Sequence, residues 1–225
     1  MNTIGIIGAM PSELVDIRKK LKGEHIKKIS GFEYYIDKIG NKTVINACSG
    51  ISKVNAALCS QVLIDNFKPD AVINAGIAGG MNPDIKVCDM VIANEVIAHD
   101  LDLHFLTDYP PYCGIFKCNQ KLMDSAVEIC KKMNVQSFIG RIVSGESFIS
   151  SNEVKKQIKD RLDPYAVDME SSAIGHCAHI NDIPFVSVRC ISDNADDEGS
   201  MSFDEFEKIA AKRVAEIVLE MVDIL

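Results

Sequence analysis

The chain has 225 residues, 47% hydrophobic and 25% charged, with 7 prolines and 14 glycines, enough to bury one sizeable core and too ordinary in make-up for a disordered or fibrous protein. Its net charge of -8 disfavours nonspecific attraction to nucleic acid or to an anionic membrane. The densest basic clusters, Lys19-Lys20-Lys22 and Lys155-Lys156-Lys159, fall on helical patterns and read as solvated faces.

The amino terminus, MNTIGIIGAMPSE, lacks the basic flank and cleavage site of a signal peptide, and no window approaches the roughly eighteen apolar residues of a membrane span. The expectation is a cytoplasmic protein. Thr3 to Ala9 reads as a short strand, followed by a helix that takes Pro11 in its first turn and places Glu13 beside the strand's carboxyl end. Phe32 to Ile39 and Thr43 to Ser49, separated by Gly40-Asn41-Lys42, predict a hairpin. Ser49-Gly50-Ile51-Ser52 then caps a helix from about Lys53 to Phe67, stopped by Pro69.

Ala71 to Asn74 predicts a buried strand ending in the glycine-rich turn Ala75 to Gly80. Glycines there either let backbone amides approach a ligand or supply positive φ for a tight turn. Val87 to Ala98 reads as a long strand, and the aromatic, proline-rich loop from His99 to Tyr112 as a functional or interface loop. A helix from Gln120 to Met133 and a strand from Phe138 to Ser144 follow, and Ser151-Asn152-Glu153 opens another helix. Phe148 and Ile149, at a strand-to-helix junction, suit a binding wall or core filling equally.

Asp168, Met169 and Glu170 lie where a short strand enters a helix ending near His179. Pro184 to Asp197, PFVSVRCISDNADD, is an apolar, β-branched run ending in carboxylates, with a last helix from Ser202 to Ile224 behind it. Ligands of open α/β sheets gather at the carboxyl ends of strands, so Asp193 suits a catalytic carboxylate as well as a turn or helix cap. Strands and helices intermix from end to end, which favours one α/β domain.

The eight cysteines form no CxxC pair and are expected as free, buried, reduced thiols. Cys113 and Cys118 have no second pair to complete a zinc site, and Asp193, Asp196 and Asp197 suit caps better than a magnesium site, so neither metal nor cofactor is expected. Gly5 to Met10 has the wrong glycine spacing for a dinucleotide fold. What remains is Glu13, Glu170 and Asp193 at the ends of different strands, a set suited to dividing general acid and base roles at a glycosidic bond.

The segments GIIGAMPSE (5–13), SGISKVNAA (49–57), INAGIAGG (73–80), VSGESFI (143–149), VDMESSAI (167–174), VRCISDNAD (188–196) and SFDEF (202–206) together strongly resemble the 5'-methylthioadenosine/S-adenosylhomocysteine nucleosidases of the purine and uridine phosphorylase superfamily. The resemblance implies a single-domain three-layer α/β/α sandwich over residues 1–225, with a central twisted mixed sheet and a nucleoside phosphorylase-like fold. It implies that Glu13 activates water, that Asp193 protonates adenine N7, and that Glu170 accepts from the ribose hydroxyls with Met169 beneath the sugar. Phe148 would stack on adenine, the Ile149 backbone would read the base edge, Ser192 would orient Asp193, and Gly79 would border the substrate. Ile51 and Phe203 would wall the 5'-thio substituent, completed across a homodimer interface by Leu103 and Pro110.

A phosphorylase of this superfamily needs arginines for a phosphate dianion near Gly8-Ala9-Met10 and Gly76-Ile77-Ala78. Neither stretch carries Arg or Lys, and Glu13 suits water, so hydrolysis is expected. Purine nucleoside phosphorolysis, hydrolysis of aminodeoxyfutalosine and non-catalytic nucleoside binding are the alternatives, with a cysteine-based redox or metal protein more distant. The chain departs from the family pattern at Ile77, where a small hydroxyl residue is common, and in the Leu103 to Cys113 loop, so the preference among 5'-substituents stays open.

Overall fold

A computed structural model describes residues 1–21 and 25–225; Lys22 of the first basic cluster lies outside the described residues. The chain runs β1 (Thr3–Gly8), α1 (Pro11–Leu21), β2 (His25–Ile29), β3 (Phe32–Ile39), β4 (Lys42–Cys48), α2 (Lys53–Phe67), β5 (Ala71–Gly80) and β6 (Met90–Ala98). It continues α3 (His104–Thr107), β7 (Phe116–Lys117), α4 (Gln120–Lys132), β8 (Ser137–Ser144), α5 (Asn152–Leu162), β9 (Ala166–Asp168), α6 (Ser171–Ile180), β10 (Phe185–Asp193) and α7 (Gly199–Ile224).

The strands form one mixed sheet, ordered β10-β6-β8-β9-β5-β1-β4-β3-β2. β10 also pairs with β5, so the sheet curls until β5, β10, β6, β8 and β9 form a closed ring. β1 runs parallel to β4 and β5, and β5 parallel to β10. This brings Gly8, Cys48, Gly80 and Asp193 to one edge, the place where strand-end ligand sites form.

Helices cover both faces, giving the three-layer α/β/α sandwich. On one side Leu14 and Ile17 of α1, Leu122 of α4 and Val214 of α7 pack on Ile4, Ile73 and Val188. On the other, Leu63 of α2 and Ile174 of α6 pack on Ile7, Val72 and Phe185. β5, buried from end to end, is the spine between them. No described helix is long and apolar enough to cross a membrane.

Three expectations change. The glycine run of residues 75–80 is strand: β5 continues through Gly80, paired with β10 and β9, and none of its glycines has positive φ. The glycines serve close approach, because a Cβ on Gly76 would stand 1.9 Å from Arg189 Nη1 and 2.5 Å from Glu13 Oε1. The long strand expected from Val87 begins at Met90, since Cys88 has left-handed backbone with φ 72°. α7 starts at Gly199 rather than Ser202. All eight cysteines are free; Cys59, Cys130, Cys177 and Cys190 are buried and the other four half-buried.

Candidate active site

Glu13 is the third residue of α1 and reaches back over the helix entrance, as an acidic residue in a first turn does when it caps free backbone donors. Its Oε2 accepts from the N–H groups of Ala9 (2.7 Å) and Met10 (2.8 Å), and its Oε1 from that of Ile77 (2.9 Å). The side chain is 2% exposed. Burial pushes its pKa up, while Arg189 and the three backbone donors pull against that rise.

Asp193 ends β10 beside an irregularity in the register with β5. Its Oδ2 accepts from Ser192 Oγ at 2.8 Å and its Oδ1 from the Ala195 N–H at 2.8 Å. It is 1% exposed, and burial raises its pKa against those two hydrogen bonds. Gly79 gives it room, because a Cβ there would lie 3.0 Å from Asp193 Oδ1 and 2.9 Å from Ala195 Cβ. Asp196 and Asp197 hold the following turn: Asp196 accepts from the Glu198 N–H, and Asp197 accepts from the Asn152 N–H and side-chain amide.

Glu170 is 4% exposed at the entrance to α6. Its Oε1 accepts from the Ser52 N–H at 3.2 Å. Ser52 caps α2 with φ 107° and ψ 144°, a region almost confined to glycine, and such strain collects at functional sites. Burial first, then the neighbouring carboxyls of Asp168 and Glu13, push Glu170 up to about 8, with Arg189 opposing.

These groups border one cavity of about 280 Å³ whose wall includes Glu13, Ile51, Ile77, Gly79, Phe148, Met169, Glu170, Ser192, Asp193 and Phe203. A narrow annex beside Asp193 adds Ser147 and Ile149. The Phe148 and Phe203 rings meet edge to face, centroids 5.6 Å apart. Phe148 and Ile51 keep 45% and 48% of their surfaces exposed, an apolar mouth above a polar floor. The cavity and its annex thus gather ten of the twelve residues singled out in the sequence. Leu103 and Pro110 lie elsewhere: Leu103 borders a separate hollow with His99, Asp100, Asp102 and Arg161, and Pro110 precedes a cis peptide bond to Pro111.

Sequence reasoning missed Arg189. It is fully buried beneath the cavity, its Nη2 2.6 Å from Asp168 and 3.6 Å from Glu170, and its Nη1 3.9 Å from Glu13. Asn74 Oδ1 accepts from the same Nη2 at 2.7 Å. Asp168 in turn accepts from Ser144 Oγ at 2.5 Å, from Ser171 Oγ, and from the Glu170 and Ser171 N–H groups. The signal was present, since a guanidinium inside an apolar strand must be paired. The glycine stretch around Gly76 carries no arginine of its own, but the fold supplies one from β10. Among the described residues no cluster of three or more His, Cys, Asp or Glu side chains is arranged to hold a metal ion.

Residues 3–223 match the model of the phosphorylase superfamily. The chain is 41% identical over 223 residues to a 5'-methylthioadenosine/S-adenosylhomocysteine nucleosidase of Actinobacillus succinogenes, covering 97% of each chain. It superimposes with a TM-score of 0.95 and 34% identity on the nucleosidase of the same name from Neisseria meningitidis in complex with methylthio-immucillin-A, each chain covered in full. A futalosine hydrolase of Helicobacter pylori gives a TM-score of 0.93 at 30% identity, with 100% of this chain and 98% of that one covered.

Proposed function

The chain belongs to the phosphorylase superfamily and, within it, to the 5'-methylthioadenosine/S-adenosylhomocysteine nucleosidases, and on that premise we propose that its cavity hydrolyses the N-glycosidic bond of 5'-methylthioadenosine and S-adenosylhomocysteine, with 5'-deoxyadenosine as a further substrate. The products are adenine and the 5-thioribose sugar. The observation that carries this reading is the placement of three buried carboxyl groups, Glu13, Glu170 and Asp193, around one cavity.

Asp193 is the acid. Burial favours its protonated form, which donates to adenine N7 and turns the base into a neutral leaving group. The bond to C1' then breaks with positive charge developing on the sugar. Glu170 accepts from the 2' and 3' hydroxyls, which become more acidic as that charge grows, so its hydrogen bonds strengthen toward the transition state. Met169 supports the ribose, Phe148 stacks on the base, and the Ile149 backbone reads the base edge. Ser192 and the Ala195 N–H orient Asp193.

Glu13 is the base. Three backbone N–H groups fix its carboxylate, and a water between Glu13 and the unpaired Nη1 of Arg189 loses its proton to Glu13 as its oxygen bonds C1'. The raised pKa of Glu13 brings it toward the range in which a general base works near neutrality. A phosphate dianion would compete with Asp168, Glu170 and Glu13 for the single guanidinium of Arg189, which favours water as the nucleophile.

The 5' substituent extends past Ile51 and Phe203 to the open mouth. The likeness to a futalosine hydrolase favours hydrolysis of a futalosine-type nucleoside as the alternative reading of the same cavity. The working unit is a homodimer. Val54, Leu58, Leu101 and Ile180 leave apolar surface exposed along a hollow of about 670 Å³ between α2 and α6, and such patches mark association surfaces. Leu103 and Pro110 of each copy then close the partner's cavity.

Adenine release from 5'-methylthioadenosine in phosphate-free buffer tests the function. Release only on addition of phosphate would make the chain a phosphorylase, and no release under either condition would leave a nucleoside-binding protein.

A further inference from the structure

The approach to β6 contains a cysteine in a place suited to glycine. The Cys88 N–H donates to the Ile191 carbonyl at 2.8 Å, and the Ile191 N–H donates to the Asp89 carbonyl at 2.9 Å. Cys88 and Asp89 together therefore oppose the single residue Ile191, a β-bulge against β10. The first residue of such a bulge has left-handed backbone and is usually glycine; here it is Cys88, with φ 72°. A residue held against that steric preference invites a functional explanation.

The bulge sets Cys88 beside a second cysteine. Cys190 pairs with Met90, the next rung of the ladder, and turns into the core beneath α7 with Val214 and Ala211. From α7, Arg213 Nη1 donates to the Cys88 carbonyl at 2.7 Å. Cys88, opposite Ile191, and Cys190, opposite Met90, therefore stand on neighbouring rungs, near enough for the two side chains to interact. Cys88 is half-buried, whereas Cys190 is fully enclosed.

We propose that Cys88 and Cys190 form an oxidative modification site, at which a small neutral peroxide converts the two thiols into a disulfide. The Cys88 thiolate attacks one peroxide oxygen, the O–O bond breaks, and the departing hydroxide takes a proton to become water. Cys88 is left as a sulfenic acid. The Cys190 sulfur then attacks the Cys88 sulfur, the S–OH bond breaks, and hydroxide leaves with the Cys190 proton as a second water. Two thiols are oxidised, one peroxide is reduced, and atoms balance.

The chemistry separates the attacking from the resolving thiol. The neighbouring Cys190 side chain, with Arg213, pulls Cys88 down to about 6, against burial and the Asp89 carboxylate. Those are the charged and titratable groups that face it from β10, α7 and the bulge. Cys59 and Cys118 are pushed up to about 12, and Cys130 and Cys177 to about 11, by burial, so these remain thiols at neutral pH. The bond would tie the bulge to β10 between Arg189 and Asp193.

The test treats the full chain with a small excess of hydrogen peroxide at neutral pH, alkylates it under denaturing conditions and maps the peptides by mass. The expected product is a cross-linked pair containing Cys88 and Cys190, lighter by two hydrogens and separated by a thiol reductant, with the rate falling as pH drops through about 6. Cys88→Gly suits the left-handed backbone and keeps the fold; in it Cys190 should stay reduced. In Cys190→Ala no cross-link should form, and Cys88, having lost both the resolving thiol and the neighbour that lowers its pKa, should oxidise more slowly and gain oxygen instead. Wild-type protein in which Cys88 and Cys190 both remain alkylatable, or in which Cys88 reaches the sulfinic acid with Cys190 untouched, would overturn the proposal.

Discussion

Arg189 Nη1 lies 3.9 Å from Glu13 Oε1, both side chains are buried, and that nitrogen has no hydrogen-bond partner. Buried donors are rarely left idle, and the separation suits a bridging water held at the carboxylate. Replacing Arg189 by Met would leave Asp168, Glu170 and Glu13 without their counter-charge, and a loss of about 3–5 kcal/mol is expected in chemical denaturation. Arg189→Lys keeps the charge but not the planar fork; it should fold, with turnover reduced on the order of 10²-fold.

On the proposed mechanism Asp193→Asn preserves shape and removes the proton donor. Turnover should then fall by roughly 10²–10⁴-fold, the range for a lost general acid, while KM should change little if the base stacks on Phe148 as proposed. Steady-state kinetics of adenine release read both quantities. A large rise in KM with unchanged turnover would make Asp193 a binding residue instead.

Gly76→Ala places a methyl group 1.9 Å from Arg189 Nη1 and 2.5 Å from Glu13 Oε1. Neither atom can retreat without breaking the buried network, so overpacking should cost about 1–3 kcal/mol and most of the activity. Thermal unfolding and the adenine assay check both. Gly31→Ala, in the β2–β3 turn, meets no atom within 4 Å but is strained by the left-handed backbone, φ 87°; it should lower stability modestly and, being far from the cavity, leave activity at the wild-type level.

These glycines also mark how far the sequence was legible. The apolar runs and punctuating residues give β1, the β3–β4 hairpin, α2 with its Ser52 cap, and α4 to within a residue or two. β2 is missed because HIKKI is a mostly exposed edge strand with no apolar face to alternate, and β7 because two residues carry no periodicity. The run of residues 75–80 reads as a turn since composition cannot distinguish glycine for positive φ from glycine for close approach. That distinction depends on Arg189, 113 positions further along the chain. Glu13, Glu170 and Asp193 are legible as strand-end carboxylates, but their shared cavity follows from the parallel order of β1, β5 and β10.

Glu170 ties function to a stability cost. Its folded-state pKa of about 8 stands above the ordinary carboxyl value of 4.5, so the folded state holds this proton more tightly than the unfolded chain. The resulting stability is full below 4.5 and is lost as pH rises through about 8. Glu13 and Asp193, also raised by burial, act in the same direction. The melting temperature of the ligand-free protein should therefore fall between about pH 5 and pH 8. Glu170→Gln should flatten that slope and melt higher than wild type at the alkaline end, while losing activity. A wild-type melting temperature that climbs over this interval would refute the assignment.

The central claim is that water held at Glu13 attacks the sugar, and the fate of the water oxygen tests it most directly. With 5'-methylthioadenosine in water carrying heavy oxygen, and inorganic phosphate also present, the sugar product should carry one heavy oxygen at C1'. Adenine should appear at the same rate with or without phosphate, and Glu13→Gln should abolish both signals. Formation of a sugar 1-phosphate, with adenine release rising in proportion to phosphate, would contradict the account.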